Sequence, residues 1–157
     1  MTKLGINIDH VATVRNARGE GHPNLIEIAK IVKDSGADSI TVHLREDRRH
    51  IKDQDLKILC NKKYLINMEM AANIKMMEIA IKNKPKFVCL VPEKRNEVTT
   101  EGGLNLNKNY NLIKKIVKDS GADSITVHLR EDRRHIKDQD LKILCNKKYL
   151  INMEMAA

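Results

Sequence analysis

The sequence predicts an α/β fold, a partial TIM-type (β/α) barrel in which about six parallel strands alternate with helices and the sheet does not close. Three observations carry this expectation. Strand patterns of period two alternate along the chain with helical patterns, which is the signature of βα units in a parallel sheet. Each of the first three strands carries a polar stripe ending, at its carboxyl end, in an ionisable group: Asp9, His43 and Glu69. A doubly wound sheet packs helices on both faces and makes such stripes costly. A barrel instead turns one strand face inward and gathers active groups at the carboxyl ends. The third observation is length, since 157 residues fall short of the ~250 of a complete barrel.

The elements follow in order. Leu4, Ile6 and Ile8 alternate with Gly5, Asn7 and Asp9, predicting a strand from Leu4 to Asp9. His10 to Arg15 comes next, then a polar loop from Asn16 to His22. Pro23 suits the first turn of a helix, Leu25, Ile26, Ile28, Ala29 and Val32 give it an apolar period, and Gly36 suits its left-handed end. The second strand, Asp38 to Leu44, sets Ile40, Val42 and Leu44 against Ser39, Thr41 and His43. A charged loop leads to a helix from about Asp53 to Cys60. The third strand, Tyr64 to Glu69, sets Ile66 and Met68 against Leu65, Asn67 and Glu69. Asn73 is placed to cap a helix with Ile74, Met77 and Ile81 in line. Phe87 to Val91, an apolar run between Pro85 and Pro92, suits a buried parallel strand. A Gly-bearing loop, Thr99 to Gly103, leads to a helix around Leu106 to Lys118.

Residues 115–157 then repeat residues 30–72 without a difference, 43 positions at an offset of 85. Diverged βα units share patterning rather than identity, and solenoid repeats of ~20–50 residues drift. A perfect copy indicates a very recent tandem duplication, natural or introduced, or a joining error. The domains expected are a half-barrel over 1–114 and the duplicate over 115–157, continuing the same βα layer with an unpaired last edge.

Bulk composition narrows the function by exclusion. No apolar run approaches the ~20 residues of a membrane span, and the amino end lacks a secretory pattern, so a cytoplasmic protein without a membrane partner is expected. Cys60, Cys89 and Cys145, an odd count with no CxxC pair, predict reduced, buried thiols rather than disulfides or a zinc site. Of the 29 basic residues behind the net charge of +8, 20 are Lys spread along helix-like segments, the pattern of a solvated surface. Aromatics make up 3% of the chain, too few for a stacking platform on single-stranded nucleic acid. Small phosphorylated molecules fit the positive balance better than nucleic acid does.

The densest chemistry is HLREDRRHI, His43 to Ile51, which returns at His128 to Ile136. The first copy reads as an active-site strand end running into a phosphate loop. Arg48 and Arg49 read as loop charges with intramolecular partners, His22 as solvent-facing, and Met68, Met70, Met76 and Met77 as apolar filler. The copies His128 and Glu154 are assigned no role.

Four stretches carry a resemblance to the pyridoxine 5′-phosphate synthase family of vitamin B6 biosynthesis. They are Gly5-Ile-Asn-Ile-Asp-His-Val-Ala-Thr13 with Arg15-Asn-Ala-Arg-Gly19, then Ala37 through Ile51, Asn67-Met-Glu-Met-Ala71, and Leu90 through Leu104. The resemblance covers residues 1 to about 118 and implies a (β/α)₈ barrel assembled as a homo-oligomer. The implied reaction condenses 1-deoxy-D-xylulose 5-phosphate with 3-amino-2-oxopropyl phosphate, giving pyridoxine 5′-phosphate, phosphate and water, with no cofactor or metal. It further implies His43 and Glu69 as general bases, with Asn7 and Arg18 on the amino-ketone phosphate. Asp9, His10, Arg45, His50 and Thr99 are implied as ligands of the pentulose phosphate. Such a condensation needs repeated proton transfers near neutral pH, which suits a His and a tuned carboxylate. The family's later half supplies a general-acid His and glycine-rich phosphate loops; here the copies His128, Arg130, His135 and Glu154 stand in their place, and turnover is expected to be lost or strongly reduced. A phosphate-binding or assembly fragment without catalysis is the alternative expectation.

Overall fold

The computed structural model describes residues 3–97, 103–105, 108–120, 125–128, 138–146 and 151–154. Thr99 and the copied Arg130 and His135 lie outside the described residues. The chain divides into two compact units, Met1–Leu90 and Val91–Ala157. In the first unit β1 (Gly5–Asn7), α1 (Asp9–Arg18), α2 (Leu25–Asp34), β2 (Ser39–His43), α3 (Asp53–Asn61), β3 (Ile66–Ala71) and α4 (Ile74–Asn83) follow one another. The next strand, β4 (Phe87–Val91), ends at the boundary.

These strands form one open sheet in sequence order, β1-β2-β3-β4. β1 and β2 pair in parallel with Asn7 opposite Thr41; β2 and β3 pair in parallel with Thr41 opposite Asn67 and His43 opposite Glu69. Each crossover therefore advances by one strand in the same direction. Right-handed connections then put every helix on one face, and neighbouring helices pack on each other, α1 on α2, α2 on α3 and α3 on α4. The core lies under these helices. Ile40, Val42 and Leu44 are essentially sealed there, with Leu56 and Leu59 of α3 and Met68 of β3. The opposite sheet face is left to Ser39, Thr41 and His43, only half-buried, and to Asn67 and Glu69. This is the one-sided arrangement expected of a partial barrel.

Several local expectations shift for identifiable reasons. The first strand stops at Asn7, because the Asn7 amide oxygen accepts the Asp9 backbone N–H at 2.8 Å and turns the chain into α1. Asp9 therefore opens a helix instead of ending a strand. Ile8 and Ala12, one turn apart, bury the inner side of α1, and Gly19 closes it at φ +70°. Pro23 sits before α2 rather than inside it, since the Asn24 side chain caps that helix through the N–H groups of Ile26 and Glu27. On α4 the buried stripe is Met76, Met77 and Ala80, while Ile74 and Ile81 are exposed. Asn73 caps it as expected, through Met76 N–H at 2.9 Å. Met68, Met70, Met76 and Met77 are all buried filler, and His22 is exposed. Cys89 is buried and Cys60 half-buried, but Cys145 is exposed on its own helix, contrary to the expectation of uniformly buried thiols.

The end of α2 shows why Gly36 is needed. Gly36 N–H bonds Lys33 C=O and Ala37 N–H bonds Val32 C=O, the paired hydrogen bonds of a Schellman ending. Gly36 adopts φ +97°, and a Cβ there would meet no atom within 4 Å. Gly36→Ala thus carries a purely conformational penalty of about 1–2 kcal/mol. Urea unfolding should show the midpoint fall with an unchanged slope; an unchanged midpoint would refute the assignment.

The second unit holds α5 (Tyr110–Ser120), β5 (Ile125–His128), α6 (Asp138–Asn146) and β6 (Ile151–Glu154), after a short 3-10 turn at Arg95–Glu97. β5 and β6 pair in parallel with Ile125 opposite Ile151 and His128 opposite Glu154, the β2–β3 register moved by the offset of the repeat. Among the described residues these two strands make their own two-stranded sheet. The copied sequence therefore reproduces the local pairing of the original.

Candidate active site

The site lies at the carboxyl ends of β1, β2 and β3. Two rows of side chains cross the sheet there along the pairing direction. The lower row is Asn7, Thr41 and Asn67; the upper is His43 and Glu69, with Asp9 two residues beyond the end of β1. His43 Nδ1 and Glu69 Oε2 are 3.8 Å apart, with side-chain exposures of 15% and 9%. That separation is too long for a direct hydrogen bond but within ion-pair reach when the imidazole is protonated. Glu69 is thereby held largely away from water next to a titratable ring, the setting in which carboxylates serve as bases.

Asp9 ties the ends of β1 and β2 together. Its carboxylate accepts the backbone N–H of His43 at 2.7 Å and the side-chain N–H of Asn7 at 3.0 Å. Because β1 has already ended, His43 N–H finds this side chain where a strand neighbour would offer a carbonyl. Asn67 is 4% exposed and donates weakly to Thr41 Oγ1 at 3.4 Å. Its Oδ1 is buried with no hydrogen-bond partner. A buried acceptor without a partner costs about 1–3 kcal/mol, a cost tolerated where a ligand completes the bond.

A second group faces the loop after β2. Thr13 Oγ1 lies 2.7 Å from His50 Nδ1, and the His10 and His50 rings meet edge to face at 5.9 Å. Asn16 on the same helix donates to the carbonyls of Arg49 and His50 at 3.0 and 2.8 Å, anchoring the loop. Burial, with Arg45, His10 and Arg49 nearby, outweighs the pull of Asp9 and lowers the His50 pKa, so the ring is neutral near pH 7. Arg45 forks onto Asp47 at 3.1 and 3.2 Å. Arg45 and the Arg49 backbone N–H hold the Asp47 pKa down to about 2. Arg48 is bound to Asp53 and Arg49 to Asp47, as expected of loop charges with internal partners.

The structure therefore brings together Asn7, Asp9, His43 and Glu69 at the strand ends, and His10, Arg45 and His50 at the adjoining loop. Arg18 is not in either network; its side chain is more than half exposed and reaches Glu20 at 3.5 Å. Thr99 lies outside the described residues. Thr13, Asn16 and Asn67 were not singled out from the sequence. A helical reading of residues 9–18, with Ile8 and Ala12 inward and Gly19 as its end, would have put Thr13 one turn beyond Asp9 and His10.

Arg15 supports this helix from behind. Its guanidinium forks onto Asp55 at 2.7 and 2.9 Å with both side chains about 14% exposed, linking α1 to α3. The pair is too buried to be negligible and too exposed to be a full interior ion pair. Asp55→Ala is expected to cost about 2 kcal/mol, between the surface and buried limits. It also removes the acceptor of Lys52 N–H at the start of α3. A melting temperature unchanged from the parent chain would show that the pair contributes nothing.

A parallel sheet read in sequence order, with helices on one face, defines a barrel-type (β/α) protein, and the His–carboxylate pair lies at the carboxyl ends of the strands, where that class carries its active groups. The chain belongs to the family of the pyridoxal phosphate biosynthesis protein PdxJ, whose model matches residues 4–120 and again 113–157. The pyridoxine 5′-phosphate synthase of Pelagibacter ubique is 56% identical over 130 residues, 82% of this chain and 54% of that protein. Those of Ehrlichia chaffeensis and Geotalea uraniireducens are 52% identical over 127 residues and 50% over 143, covering 53% and 60% of their lengths and 80% and 89% of this chain. The chain thus spans about half the length of the curated relatives it matches. No described helix is long and apolar enough to cross a membrane.

Proposed function

We propose that this chain carries the base-bearing half of a pyridoxine 5′-phosphate synthase site. In this reading it condenses 1-deoxy-D-xylulose 5-phosphate with 3-amino-2-oxopropyl phosphate to pyridoxine 5′-phosphate, phosphate and water. The carrying observation is the register match of His43 with Glu69, 3.8 Å apart at the carboxyl ends of neighbouring parallel strands. Joining an amine to a ketone and closing a ring requires protons to leave carbon and nitrogen in turn. Glu69 takes one from the substrate lying over β3, and His43 serves the neighbouring atom over β2. The orphaned Asn67 Oδ1 beneath them offers an acceptor to a substrate N–H or O–H.

Arg45, His10 and His50 hold the pentulose phosphate, with Asp9 on its hydroxyls and Thr99 as a further ligand. Asn7 and Arg18 hold the amino-ketone phosphate; Arg18, on the last turn of α1, must swing from Glu20 to do so. The remaining parts of the reading are a homo-oligomeric, cytoplasmic protein that uses no cofactor and binds no nucleic acid. Residues 1–114 act as the half-barrel and 115–157 as its duplicate.

A second reading is a phosphate-binding or assembly fragment without turnover. It is favoured by residues 115–157 repeating 30–72 instead of supplying new family motifs. Incubating the full chain with both substrates and measuring pyridoxine 5′-phosphate separates the two. Product above background supports the synthase; calorimetric binding of the pentulose phosphate, weakened by Arg45→Ala but without product, supports the fragment.

A further inference from the structure

We propose that Asp47 is a built-in counter-ion of Arg45 which a substrate phosphate has to displace, so that this carboxylate limits the affinity of the site for phosphate. The inference rests on the reading above, in which Arg45 meets the pentulose phosphate.

Three arginine–aspartate forks among the described residues set the comparison. Arg15 meets Asp55 at 2.7 and 2.9 Å, and Arg48 meets Asp53 at 2.7 and 3.0 Å. These lengths are close to the usual range of charge-assisted bonds, about 2.7–2.9 Å. Arg45 meets Asp47 through Nε and Nη2 at 3.1 and 3.2 Å, the loosest fork of the three. The first two forks join separate parts of the fold, α1 to α3 and the loop after β2 to the start of α3. The third joins residues two apart within that loop.

The loop keeps its course without the Arg45 fork. Arg48 donates its backbone N–H and a guanidinium N–H to Arg45 C=O while it holds Asp53, and it touches the Met76 sulfur of α4 at 3.8 Å. Asn16 of α1 holds the carbonyls of Arg49 and His50. The backbone on both sides of Asp47 is thus fixed by bonds that do not involve the Arg45 side chain. Asp47 has an anchor of its own: it accepts Arg49 N–H at 3.0 Å and lies 3.5 Å from the Arg49 guanidinium. Its side chain is 42% exposed, so it stays paired and hydrated when Arg45 turns away. The exchange leaves no buried charge alone.

The charges set the direction of the exchange. A phosphate brings nearly two negative charges and three acceptor oxygens, against the single charge of Asp47, and Arg45 prefers it. Asp47 opposes the phosphate wherever it binds on Arg45. Oxygens forked onto the Nε–Nη2 edge need the place that Asp47 holds, and an anion on another edge meets the Asp47 charge across the same guanidinium. Asp47 remains ionised throughout, since Arg45 and the Arg49 N–H hold its pKa down to about 2.

Calorimetric titration of the full chain with inorganic phosphate tests this, at low ionic strength where exposed charges are least screened. Asp47→Asn keeps an oxygen for the Arg49 N–H and removes the charge. It should bind phosphate roughly threefold to tenfold more tightly than the parent, the scale of one partly exposed ion pair lost from the free chain. Asp47→Ser, whose hydroxyl can also accept that N–H, takes its place if the Asn variant does not fold. Arg45→Ala should bind more weakly than the parent. Adding Asp47→Asn to Arg45→Ala should bring little gain, because the carboxylate acts through Arg45. Suppose Arg45→Ala weakens binding, but Asp47→Asn binds no tighter than the parent, or its gain is as large without Arg45. The exchange is then overturned and the phosphate reading of Arg45 stands. Parent binding that does not depend on Arg45, or no binding in any of these proteins, overturns that reading and the exchange with it.

Discussion

Glu69→Gln and His43→Ala should each lower the rate of pyridoxine 5′-phosphate formation by roughly 10²–10⁴-fold, the usual contribution of a positioned acid or base. Glu69→Gln is the cleaner of the two. It keeps the shape of a side chain that is 7% exposed as a residue and removes only its capacity to accept a proton. Substrate binding should survive, so the loss should fall on kcat while KM stays within a few-fold. His43→Ala also removes the partner of Glu69, and KM is expected to move with kcat. The two losses should not add in the double variant, because the proposed function sets both groups on one set of reacting atoms. Full activity in Glu69→Gln would remove the carboxylate from the mechanism. Activity absent from the parent chain as well, with the pentulose phosphate still bound, would place this chain with the binding fragments.

Asp9→Ala is expected to damage the fold and the site together. Asp9 is 8% exposed, and its carboxylate takes the His43 N–H at 2.7 Å and the Asn7 side chain at 3.0 Å. Alanine leaves the His43 N–H, at the junction of β2 with the site, without that acceptor. The cost should be about 1–3 kcal/mol, the desolvation penalty of a buried group left unpaired. Asn7 loses one of its two bonds at the start of α1, so the entry into that helix loosens as well. Asp9→Asn tells the structural and electrostatic parts apart. Its amide oxygen can still accept from His43 N–H, so most stability should return, while the negative charge near His50 does not. Thermal unfolding of the three proteins checks this; an Asp9→Ala variant as stable as the parent would mean that the carboxylate does not hold the strand end.

Much of this was legible in the sequence because parallel βα units write their faces plainly. Ile40, Val42 and Leu44 against Ser39, Thr41 and His43 separated the helix-covered face from the open one, and the burial of those residues follows that division. The helix caps at Asn73 and Gly36 were visible for the same local reason, since a side-chain acceptor or a permissive φ acts within a few residues. The misplacements have local causes too. Alternation from Leu4 to Asp9 looked like one strand, but an Asn two residues before an Asp can bond its N–H and start a helix, and alternation alone does not weigh that competition. On α4, Met76 and Ala80 displaced Ile74 and Ile81 from the buried stripe, because the face a helix buries depends on the sheet beneath it.

The sequence by itself determined the element order, the inward polar stripe with His43 and Glu69 on it, and the repeat of residues 30–72 at 115–157. All three are properties of neighbours along the chain or of identity between segments. The tertiary structure alone decided which distant groups meet: Asp9 with the His43 N–H, Thr13 with His50, Asn16 with the loop carbonyls, Arg15 with Asp55. It also left Asn67 Oδ1 buried without a partner. These pairs join residues more than 30 positions apart. Their existence depends on the register of β1 on β2 and the seating of α1 beside the loop, and no periodicity along the chain records either.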